Sequence, residues 1–406
     1  MADRALEDLR VVDISQGIAG PYATRLLADA GADVIKVEPP DGDYSRRLGP
    51  FPGGVPDPDR SGLYLHLNTS KRSITLDVSV PSGQAVLKKL LAKADVFVCG
   101  EKTSTLRAWG LTYDDLRVEF PDLIVAQVSP FGADGPYAEY DGNSLTAMAM
   151  SSLMYNTGEP DREPLSTGGE PGEYIAGVQL WVGILAALEN RASHGGGDHV
   201  DVSMAEAVAA ADEYNAAMYA FQGAIRRRYY SRHIFGYPND IVKASDGYLV
   251  MIPGAGGFPS PLAGDSVSPM ALLMEDPDLD QSPLFRQMGE RMIHWRDFDK
   301  LIEPYLSTHS AAEIVMTAQA LRMPFAPVPS AGDLLQDEHL ADRDFFETLA
   351  TPAGELRVPG APFRMSATPL RAAPAPALGA ANADVLIGEL GYEQADLAVL
   401  SEREVV

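Results

Sequence analysis

Glu173 is a carboxylate whose place in the sequence could suit chemistry. It stands at the end of a polar loop rich in Gly and Pro, residues 156–172, directly before an apolar stretch with helical periodicity, Tyr174–Asn190. A carboxylate presented by such a loop can act as a nucleophile that forms a covalent intermediate. It can equally be structural, because an acidic side chain in the first turn of a helix interacts favourably with the helix dipole. The spacing alone leaves both interpretations open.

Two neighbouring cations, Lys71 and Arg72, are candidates for contact with an anion. They stand at the edge of a turn that precedes a β-branched run, Ser73–Leu76, and a pair of cations there could meet a phosphate group. The alternative is a solvated turn without a ligand. The chain carries a formal charge of −25, so an anionic ligand requires a local basic pocket of this kind.

Several common catalytic motifs do not occur in the sequence. There is no H-E-x-x-H motif, and the seven histidines show no metal-ligand spacing, so no metal site is predicted. There is also no G-x-S-x-G nucleophile motif and no G-x-x-x-x-G-K phosphate loop. The single cysteine, Cys99, is interpreted as a small buried hydrophobic residue rather than a nucleophile.

The stretch Leu9–Asp43 predicts one parallel βαβ unit. Two apolar runs, Leu9–Ile14 and Asp33–Val37, flank a segment with helical spacing, and Pro21 is expected in the first turn of that helix. The loop after the first strand would lie at the carboxyl edge of the sheet, where phosphorylated cofactors bind. The segment GIAGPY lacks the G-x-G-x-x-G fingerprint, however, so a structural unit without a ligand is an equal alternative.

Further strands and helices alternate along the chain, which predicts an α/β fold with a parallel sheet. The later strands of this sheet are predicted at Ser73–Leu76, Asp95–Val98 and Leu123–Val128. A shift in composition marks the start of a second, smaller domain near Gly236. The spacing also predicts a single helix over Met204–Gly223 and a helical segment over Asp333–Leu349.

Composition narrows the class of protein. The charge of −25 over 406 residues argues against binding to nucleic acid or to an anionic membrane surface. One cysteine cannot form an internal disulfide, and the first ten residues contain no apolar signal core, so a reducing cytoplasm is expected. The apolar run Tyr174–Leu188 is judged too short and too interrupted to span a bilayer.

Ordered stretches along nearly the whole chain resemble one known family. The matching segments are VVDISQGIAGPYATRLLADAGADVIKVEPPDGDYSR, LNTSKRSITLDV, FGADGPYAEY, LMYNTGEPDREPLSTGG, AGVQLWVGILAAL, GGDHVDVSMAEA, ASDGYLVM and LRMPFAPVPSAGDLLQDEHLADRDFF. Through them the sequence is similar to the class III CoA-transferases, the group that includes formyl-CoA transferase, carnitine CoA-transferase and alpha-methylacyl-CoA racemase.

The resemblance implies a Rossmann-like large domain, a smaller α+β domain and an interlocked dimer. The corresponding segments are 1–205 for the first part of the large, CoA-binding domain, 206–235 for linker helices, 236–330 for the small domain, and 331–406 for a linker and the return to the large domain. CoA or acyl-CoA would be a substrate rather than a tightly bound cofactor. The residues that the resemblance places at CoA are Gly17, Ile18, Ala19, Lys71, Arg72, Gly100 and Arg107.

The resemblance also implies a role for Glu173. In the transferases an aspartate attacks the donor thioester, which gives a mixed anhydride and then an enzyme-linked CoA thioester, and a carboxylic acid finally accepts the CoA. Glu173 stands at the position of that aspartate. Glutamate offers the same carboxylate on a side chain that is one methylene longer.

Other departures leave two alternatives open. In place of a Glu-Asn-Phe-Arg-Pro-Gly stretch of the family, this chain has Cys99–Ser104. Some benzylsuccinate-type CoA-transferases of the family pair a catalytic subunit with a second subunit that lacks the aspartate. This chain resembles the second kind of subunit, so a heteromer with a catalytic paralogue is an alternative to a homodimer. A racemase would need two acid/base groups, and the corresponding positions are Asn143 and Glu173.

An apolar pocket for the acyl group is suggested by a helix rich in Met and Ala, residues 145–154, and by three aromatic residues, Tyr229, Tyr230 and Phe235. Packing in a hydrophobic core explains these residues equally well.

Overall fold

The structure is a computed structural model that describes residues 4–229, 236–259 and 266–406, without the side chains of Glu213 and Ala255. The chain forms two compact units. Unit 1 contains the described residues of Met1–Leu153, Ser166–Gly223 and Ala341–Val406, and unit 2 those of Met154–Leu165 and Ala224–Leu340. The four segments expected from the sequence stay a prediction of domain organisation.

Unit 1 is built on a six-stranded parallel sheet in the order β3-β2-β1-β4-β5-β6. Its strands are β1 (Arg10–Asp13), β2 (Asp33–Glu38), β3 (Arg72–Thr75), β4 (Val96–Cys99), β5 (Ile124–Ser129) and β6 (His199–Ser203). The order reverses between β1 and β4, and in sheets of this Rossmann-like layout ligands bind outside the carboxyl ends of the strands at that reversal. The prediction of a parallel α/β sheet is confirmed, with each predicted strand within two residues of its position.

Helices cover both faces of this sheet. In chain order they are α1 (Ala19–Asp29), α2 (Gly62–Leu67), α3 (Pro81–Leu91), α4 (Thr103–Trp109), α5 (Tyr113–Glu119), α6 (Ser144–Met150), α7 (Pro171–His194), α8 (Met204–Ala211) and α9 (Glu213–Gln222). One face packs α3, α4 and α5 around Leu87 and Phe97, and the other packs α1, α7 and α8 around Leu27 and Leu180. Pro21 lies in the first turn of α1, as predicted.

The last part of the chain completes the first of these cores. The backbone N–H of Ala381 donates to the Ser73 carbonyl at 2.8 Å, and that of Asp77 donates to the Val405 carbonyl at 2.8 Å. Val385 and Leu386, from the π-type helix Ala383–Glu389, are fully buried among the residues of β2, β3 and α3. A helix α17 (Gln394–Glu402) follows within the same unit.

Two helix predictions are wrong. The segment Asp333–Leu349 contains the short helices α15 (Ala331–Leu334) and α16 (Glu338–Asp342) and then a strand of a hairpin. The hairpin pairs β10 (Phe346–Thr351) with β11 (Gly354–Pro359), and Gly354 has a φ of +100° that suits its tight turn. The predicted helix Met204–Gly223 is divided into α8 and α9 at Asp212, because an aspartate competes with helical backbone hydrogen bonding.

The long helix α7 also differs from the prediction. It runs for 24 residues, and its length and mean hydropathy of 1.2 over 18 residues are sufficient for a membrane span. The argument that this segment is too short to cross a bilayer is therefore wrong. Within unit 1, Ala176, Leu180 and Ile184 of α7 are buried in the core that the helix shares with α1 and the sheet.

Unit 2 has its own small sheet and core. The antiparallel strands β7 (Asp240–Lys243), β8 (Tyr248–Met251) and β9 (Ala326–Pro327) pair in that order. The helices of the unit include α10 (Pro269–Leu273), α11 (Pro283–Arg286), α12 (Met288–Ile293), α13 (Trp295–Thr308) and α14 (Ala311–Ala320), and α15 also belongs to it. The packed rings of Phe258, Phe285 and Phe298 stand at the centre of the core.

Candidate active site

Glu173 is the third residue of α7, within the first turn of the helix. Pro171 begins the helix, where the absence of a backbone N–H costs nothing. The first turn of α7 lies against the start of α1. Gly177, one turn further along α7, allows this approach, because a Cβ atom there would lie 2.6 Å from the Ala19 carbonyl oxygen.

The carboxylate of Glu173 faces the backbone N–H groups of Ala19 and Ile18, at the amino terminus of α1. Burial raises its pKa, and the charge of Glu170 acts in the same direction. The two N–H groups oppose this shift, because their partial positive charge stabilises the carboxylate. The side chain is half-buried, so the carboxylate lies in a protected position that still reaches the surface.

A buried ion pair holds the loop that carries these N–H groups. Lys36 Nζ lies 2.9 Å from the Asp43 carboxylate and also donates to the Ser15 carbonyl, with both charged side chains fully buried. The other oxygen of Asp43 accepts a hydrogen bond of 3.1 Å from the backbone N–H of Gly17. Gly17 has a φ of +81°, a conformation that favours glycine. The shape of the loop is thus set by charges that the solvent does not screen.

Lys71 lies beneath the same loop. Its Nζ donates to Asn68 Oδ1 at 2.9 Å and to the Pro21 carbonyl at 2.9 Å, and it lies 3.4 Å from Asp13 Oδ2. Burial lowers the pKa of Lys71 to about 8, and Lys36 acts in the same direction against the attraction of Asp13. The ammonium group is fully buried, so this geometry suits support of the loop better than direct contact with a phosphate.

Arg72 occupies a different place. Its guanidinium group lies 2.7 Å from Asp33, the first residue of β2, and 2.6 Å from Glu389 of the carboxyl-terminal segment. The group therefore points towards the amino ends of the strands, away from the loop of Gly17. Both of its acidic partners also bind Arg10, so the four side chains form one network.

Gly100 and Arg107 follow β4. A Cβ atom at Gly100 would lie 3.6 Å from Ser15 Cβ, so this glycine stands across the strand reversal from the first loop. Arg107 lies in the last turn of α4 and is exposed. No salt bridge joins Arg107 to an acidic side chain among residues 4–229, 236–259 and 266–406.

A small cavity opens at the carboxyl ends of the central strands. It has a volume of about 150 Å³ and is lined by Ile14, Gln16, Val37, Pro39, Leu76, Asp77, Val78, Ser79, Glu101 and Trp109. Burial raises the pKa of Glu101 to about 7, against the hydrogen bond that the Gly100 N–H donates to its carboxylate at 3.1 Å. This cavity combines an aromatic side chain with polar groups at the position where Rossmann-like sheets bind ligands.

The structure brings some of the predicted site residues together and separates others. Glu173 meets Ile18 and Ala19, and Gly17 belongs to the same loop. Lys71 supports that loop from below, whereas Arg72 and Arg107 lie elsewhere on unit 1. The assignment of all eight residues to a site stays a prediction.

Sequence reasoning passed over the residues that shape the loop: Lys36, Asp43 and Tyr44. A signal for the first of them was available, because a lysine within the otherwise apolar run Val34–Val37 must find a buried partner. Asp43 and Tyr44 gave no such signal, since they belong to an irregular segment between elements.

The racemase alternative and the acyl pocket have separate outcomes. Asn143 caps α6, with its side-chain oxygen accepting a hydrogen bond of 3.1 Å from the Thr146 N–H. That geometry suits a structural amide rather than an acid/base group.

The residues suggested for an acyl pocket differ in exposure. On the helix rich in Met and Ala, Met148 is buried and Met150 is 50% exposed. Two of the three aromatic residues named for the pocket, Tyr230 and Phe235, lie outside the described residues.

The described residues offer neither an accessible cysteine nor a metal-binding cluster. Cys99 is fully buried, as predicted, and burial raises the pKa of its thiol well above its usual range. Within the described ranges no group of three or more His, Cys, Asp or Glu side chains could hold a metal ion.

Comparison with known proteins defines the family. The profile of CoA-transferase family III matches residues 6–382. The chain is 32% identical to succinyl-CoA–D-citramalate CoA-transferase of Chloroflexus aurantiacus, over 99% of this chain and 98% of that protein. It is 30% identical to the alpha subunit of succinyl-CoA–L-malate CoA-transferase of the same organism, over 99% of this chain and 92% of that protein.

Solved structures agree with the sequence comparison. A CaiB/BaiF family protein from Brucella suis superposes with a TM-score of 0.83 and 28% identity, over 95% of this chain and 99% of that chain. The chain belongs to CoA-transferase family III. The resemblance read from the sequence motifs is thereby confirmed, and the relatives named above are CoA-transferases.

Proposed function

We propose that this protein moves CoA from an acyl-CoA donor to a small carboxylic acid, with Glu173 as the nucleophile. The family and the related succinyl-CoA transferases support the reaction class. The observation that carries the role of Glu173 is its position. It is a half-buried carboxylate in the first turn of α7, and it faces the amino terminus of α1 beside the loop at the carboxyl edge of a Rossmann-like sheet.

In the first half of the reaction an oxygen of the Glu173 carboxylate attacks the carbonyl carbon of the thioester. The C–S bond breaks, CoA leaves as a thiolate, and the acyl group stays on Glu173 as a mixed anhydride. The thiolate then attacks the glutamyl carbonyl carbon, which releases the donor acid and leaves a glutamyl-CoA thioester. Covalent catalysis of this kind divides one difficult exchange into easier steps.

In the second half the acceptor carboxylate attacks the glutamyl-CoA thioester and releases the CoA thiolate again. The thiolate attacks the acceptor side of the new anhydride, which yields acceptor-CoA and restores the Glu173 carboxylate. The sum is an exchange of CoA between two acids, and no oxidant, water or metal is consumed.

The surroundings of Glu173 suit these steps. The nucleophile must be ionised, and the N–H groups of Ile18 and Ala19 oppose the effect of burial on its charge. Burial excludes water, which would hydrolyse an anhydride or a thioester intermediate. A fixed nucleophile next to a bound thioester also removes most of the entropic cost of bringing the two together.

The carrier is proposed to lie along the carboxyl ends of the central strands. The loop at Gly17, Ile18 and Ala19 would contact the pantetheine end, and Gly100 leaves room at the strand reversal. Arg107 is exposed and offers a cation to a phosphate group. Lys71 and Arg72, although predicted to contact CoA, would act through the structure of the loop and of the sheet edge, because their charged groups are already held by the protein.

Trapping tests the nucleophile. Wild-type protein is incubated with succinyl-CoA and hydroxylamine, and the modified residue is mapped by mass spectrometry. The expected product is a hydroxamate at Glu173, which is lost in Glu173→Gln and retained in Glu173→Asp. Glu170→Gln is the matched control, because Glu170 is an exposed acid on the same turn of chain. Modification of another carboxylate, or of none with any acyl-CoA in a donor panel, contradicts the proposal.

A second candidate function is a CoA-binding subunit without chemistry of its own. Two observations favour it: glutamate stands at the position that the resemblance gives to aspartate, and the chain is similar to an alpha subunit. Calorimetry distinguishes the two functions. The silent subunit binds CoA tightly and shows no labelling at Glu173 with any donor.

We also propose that two chains form an interlocked homodimer in the cytoplasm, with a heteromer as the alternative assembly. Sedimentation of the purified chain at several concentrations tests this. A stable dimer supports the homodimer, whereas a monomer that gains activity only with a paralogous chain supports the heteromer.

A further inference from the structure

Tyr44 brings a hydroxyl group to the loop that faces Glu173. It is the first residue of the 3₁₀ turn Tyr44–Arg47, which Asp43 caps by accepting a hydrogen bond of 2.8 Å from the Ser45 N–H. A Cβ atom at Gly17 would lie 1.8 Å from Tyr44 Oη and 2.4 Å from Cζ. The phenol end of Tyr44 therefore occupies the space that the missing Gly17 side chain leaves open.

The backbone of Tyr44 is held from two sides. Its backbone N–H donates to Gln16 Oε1 at 3.3 Å, and the preceding residue, Asp43, is anchored by the buried Lys36. The residue as a whole is 41% exposed. Tyr44 thus combines a fixed backbone with a side chain that the solvent, and a bound ligand, can reach.

The Tyr44 hydroxyl makes no hydrogen bond to any of the residues that the structure describes. The charged groups around it are Glu173, Asp43, Glu170 and Lys36. Burial raises the pKa of Tyr44, and Glu173 is the largest of the charges that act in the same direction. The phenol therefore stays protonated, so it is a hydrogen-bond donor without a partner beside a carboxylate nucleophile.

We propose that Tyr44 is a catalytic residue, whose hydroxyl donates a hydrogen bond to the thioester carbonyl oxygen when Glu173 attacks. The inference rests on the proposed function of Glu173 and extends it to a second side chain. When the Glu173 oxygen forms its bond to the carbonyl carbon, the electron pair of the C=O bond moves to oxygen. Tyr44 stabilises that oxyanion without giving up its proton, and the pair returns as the C–S bond breaks.

The geometry explains why glycine occupies position 17. With a methyl group there the phenol could not enter the loop, and the donor would be displaced from the nucleophile. A preorganised donor aimed at a developing oxyanion is worth far more in a protected site than in water, because it needs no reorientation as charge develops.

The test compares the rate of Glu173 acylation in single-turnover labelling with succinyl-CoA and hydroxylamine. Tyr44→Phe keeps the ring and removes only the hydroxyl, so we expect a rate lower by about 100-fold. The Kd for succinyl-CoA should change by less than about threefold, since the lost bond forms only with the developing oxyanion. Tyr392→Phe is the matched control, because its ring packs near Lys89 on another part of unit 1.

A second variant separates a chemical role from a structural one. Incorporation of 3,5-difluorotyrosine at position 44 strengthens the donor with little change in shape, and the acylation rate should then exceed that of the Tyr44→Phe variant by at least tenfold. Labelling of the wild type together with an equal rate in Tyr44→Phe overturns the role of Tyr44 alone. No labelling of Glu173 in the wild type overturns the proposed function, and this inference with it.

Discussion

Gly177 and Ala19 are in such close contact that a methyl group on the first would lie 2.6 Å from the carbonyl oxygen of the second. The contact joins α7 to α1 one turn from Glu173. Because the atom in the way is a backbone carbonyl oxygen rather than a flexible side chain, a side chain at position 177 would have to displace one of the two helices. The distance between the carboxylate of Glu173 and the N–H groups of α1 therefore depends on a residue that takes no part in chemistry.

The first prediction concerns this helix contact. Gly177→Ala should push α7 away from α1, lower the free energy of unfolding by about 1–3 kcal/mol, and slow CoA transfer by at least tenfold. Thermal unfolding and steady-state rates measure the two effects. Gln179→Ala is the control, because Gln179 is exposed on the same helix. Wild-type activity in the Gly177→Ala variant would show that the contact does not position Glu173.

The second prediction concerns Gly17. Gly17→Ala should reduce activity strongly, since the new methyl group meets Tyr44 and the φ of +81° is strained for alanine. Gly53→Ala is matched for backbone, with a φ of +63° and nothing within 4 Å of its Cβ position. Both variants should lose about 1 kcal/mol of stability from the backbone alone, but only Gly17→Ala should lose CoA transfer. Equal activity in the two would contradict the role of the loop.

The third prediction links Glu173 to stability. Its pKa is raised in the folded protein, so its ionised form is disfavoured by folding, and this part of the stability is lost as the pH rises through the folded pKa. Glu173→Gln should therefore raise the melting temperature at pH 8 and leave it unchanged below the ordinary glutamate value of 4.5. The same variant should lose more than about a thousandfold in CoA transfer. A fall in the melting temperature at pH 8 would show that the carboxylate is stabilising instead.

The fourth prediction concerns His66. Burial first, and then the charge of Arg25, lowers the pKa of His66 from 6.5 to about 3. The neutral ring thus contributes stability above pH 6.5 that is lost as the pH falls towards 3. At pH 5 the loss amounts to about 2 kcal/mol, from 1.36 kcal/mol per pH unit over the interval below 6.5.

Urea unfolding at pH 7.5 and pH 5 measures the loss, and His66→Gln should remove most of the difference between the two conditions. His339→Gln is the control, because His339 is exposed on α16. An unchanged acid sensitivity in His66→Gln would assign the effect to other groups.

The fifth prediction separates two arginines that the sequence treated alike. Arg107→Gln should raise the KM for acyl-CoA by about two- to fivefold at low salt, with little effect on stability, because its exposed charge is available to a phosphate. Arg72→Gln should instead lower stability, because among the described side chains it leaves Arg10 as the one basic partner of Asp33 and Glu389. If Arg72→Gln alone raised the KM, the phosphates would have to lie at the amino edge of the sheet.

The regular part of the fold could be read from the sequence because its signals are local. Val11, Val12 and the mostly apolar residues 34–37 belong to short, β-branched runs that favour buried strands, and the loop between them followed from the βαβ pattern. The helix predicted over Asp333–Leu349 was wrong because the structure of this segment depends on non-local contacts. Its residues suit a helix, but pairing with Gly354–Pro359 stabilises a strand through contacts that no helical window contains.

The candidate site was predictable only in part. Glu173 followed from the resemblance, and its meeting with Ile18 and Ala19 depends on two helices that are separated by about 150 residues of chain. The insertion of Tyr44 beside Gly17 depends on the route of an irregular segment, which periodicity does not describe. Such contacts become visible only when the packing of the elements is known.

The hydrogen bonds from Ala381 to Ser73 and from Asp77 to Val405 have a consequence for biosynthesis. During translation the amino-terminal strands leave the ribosome long before the residues that cover Leu87 and Ile74 are made. Until then the growing chain exposes an apolar sheet face, which is the kind of surface that chaperones bind. Folding of unit 1 must therefore wait until residues 381–405 have been made.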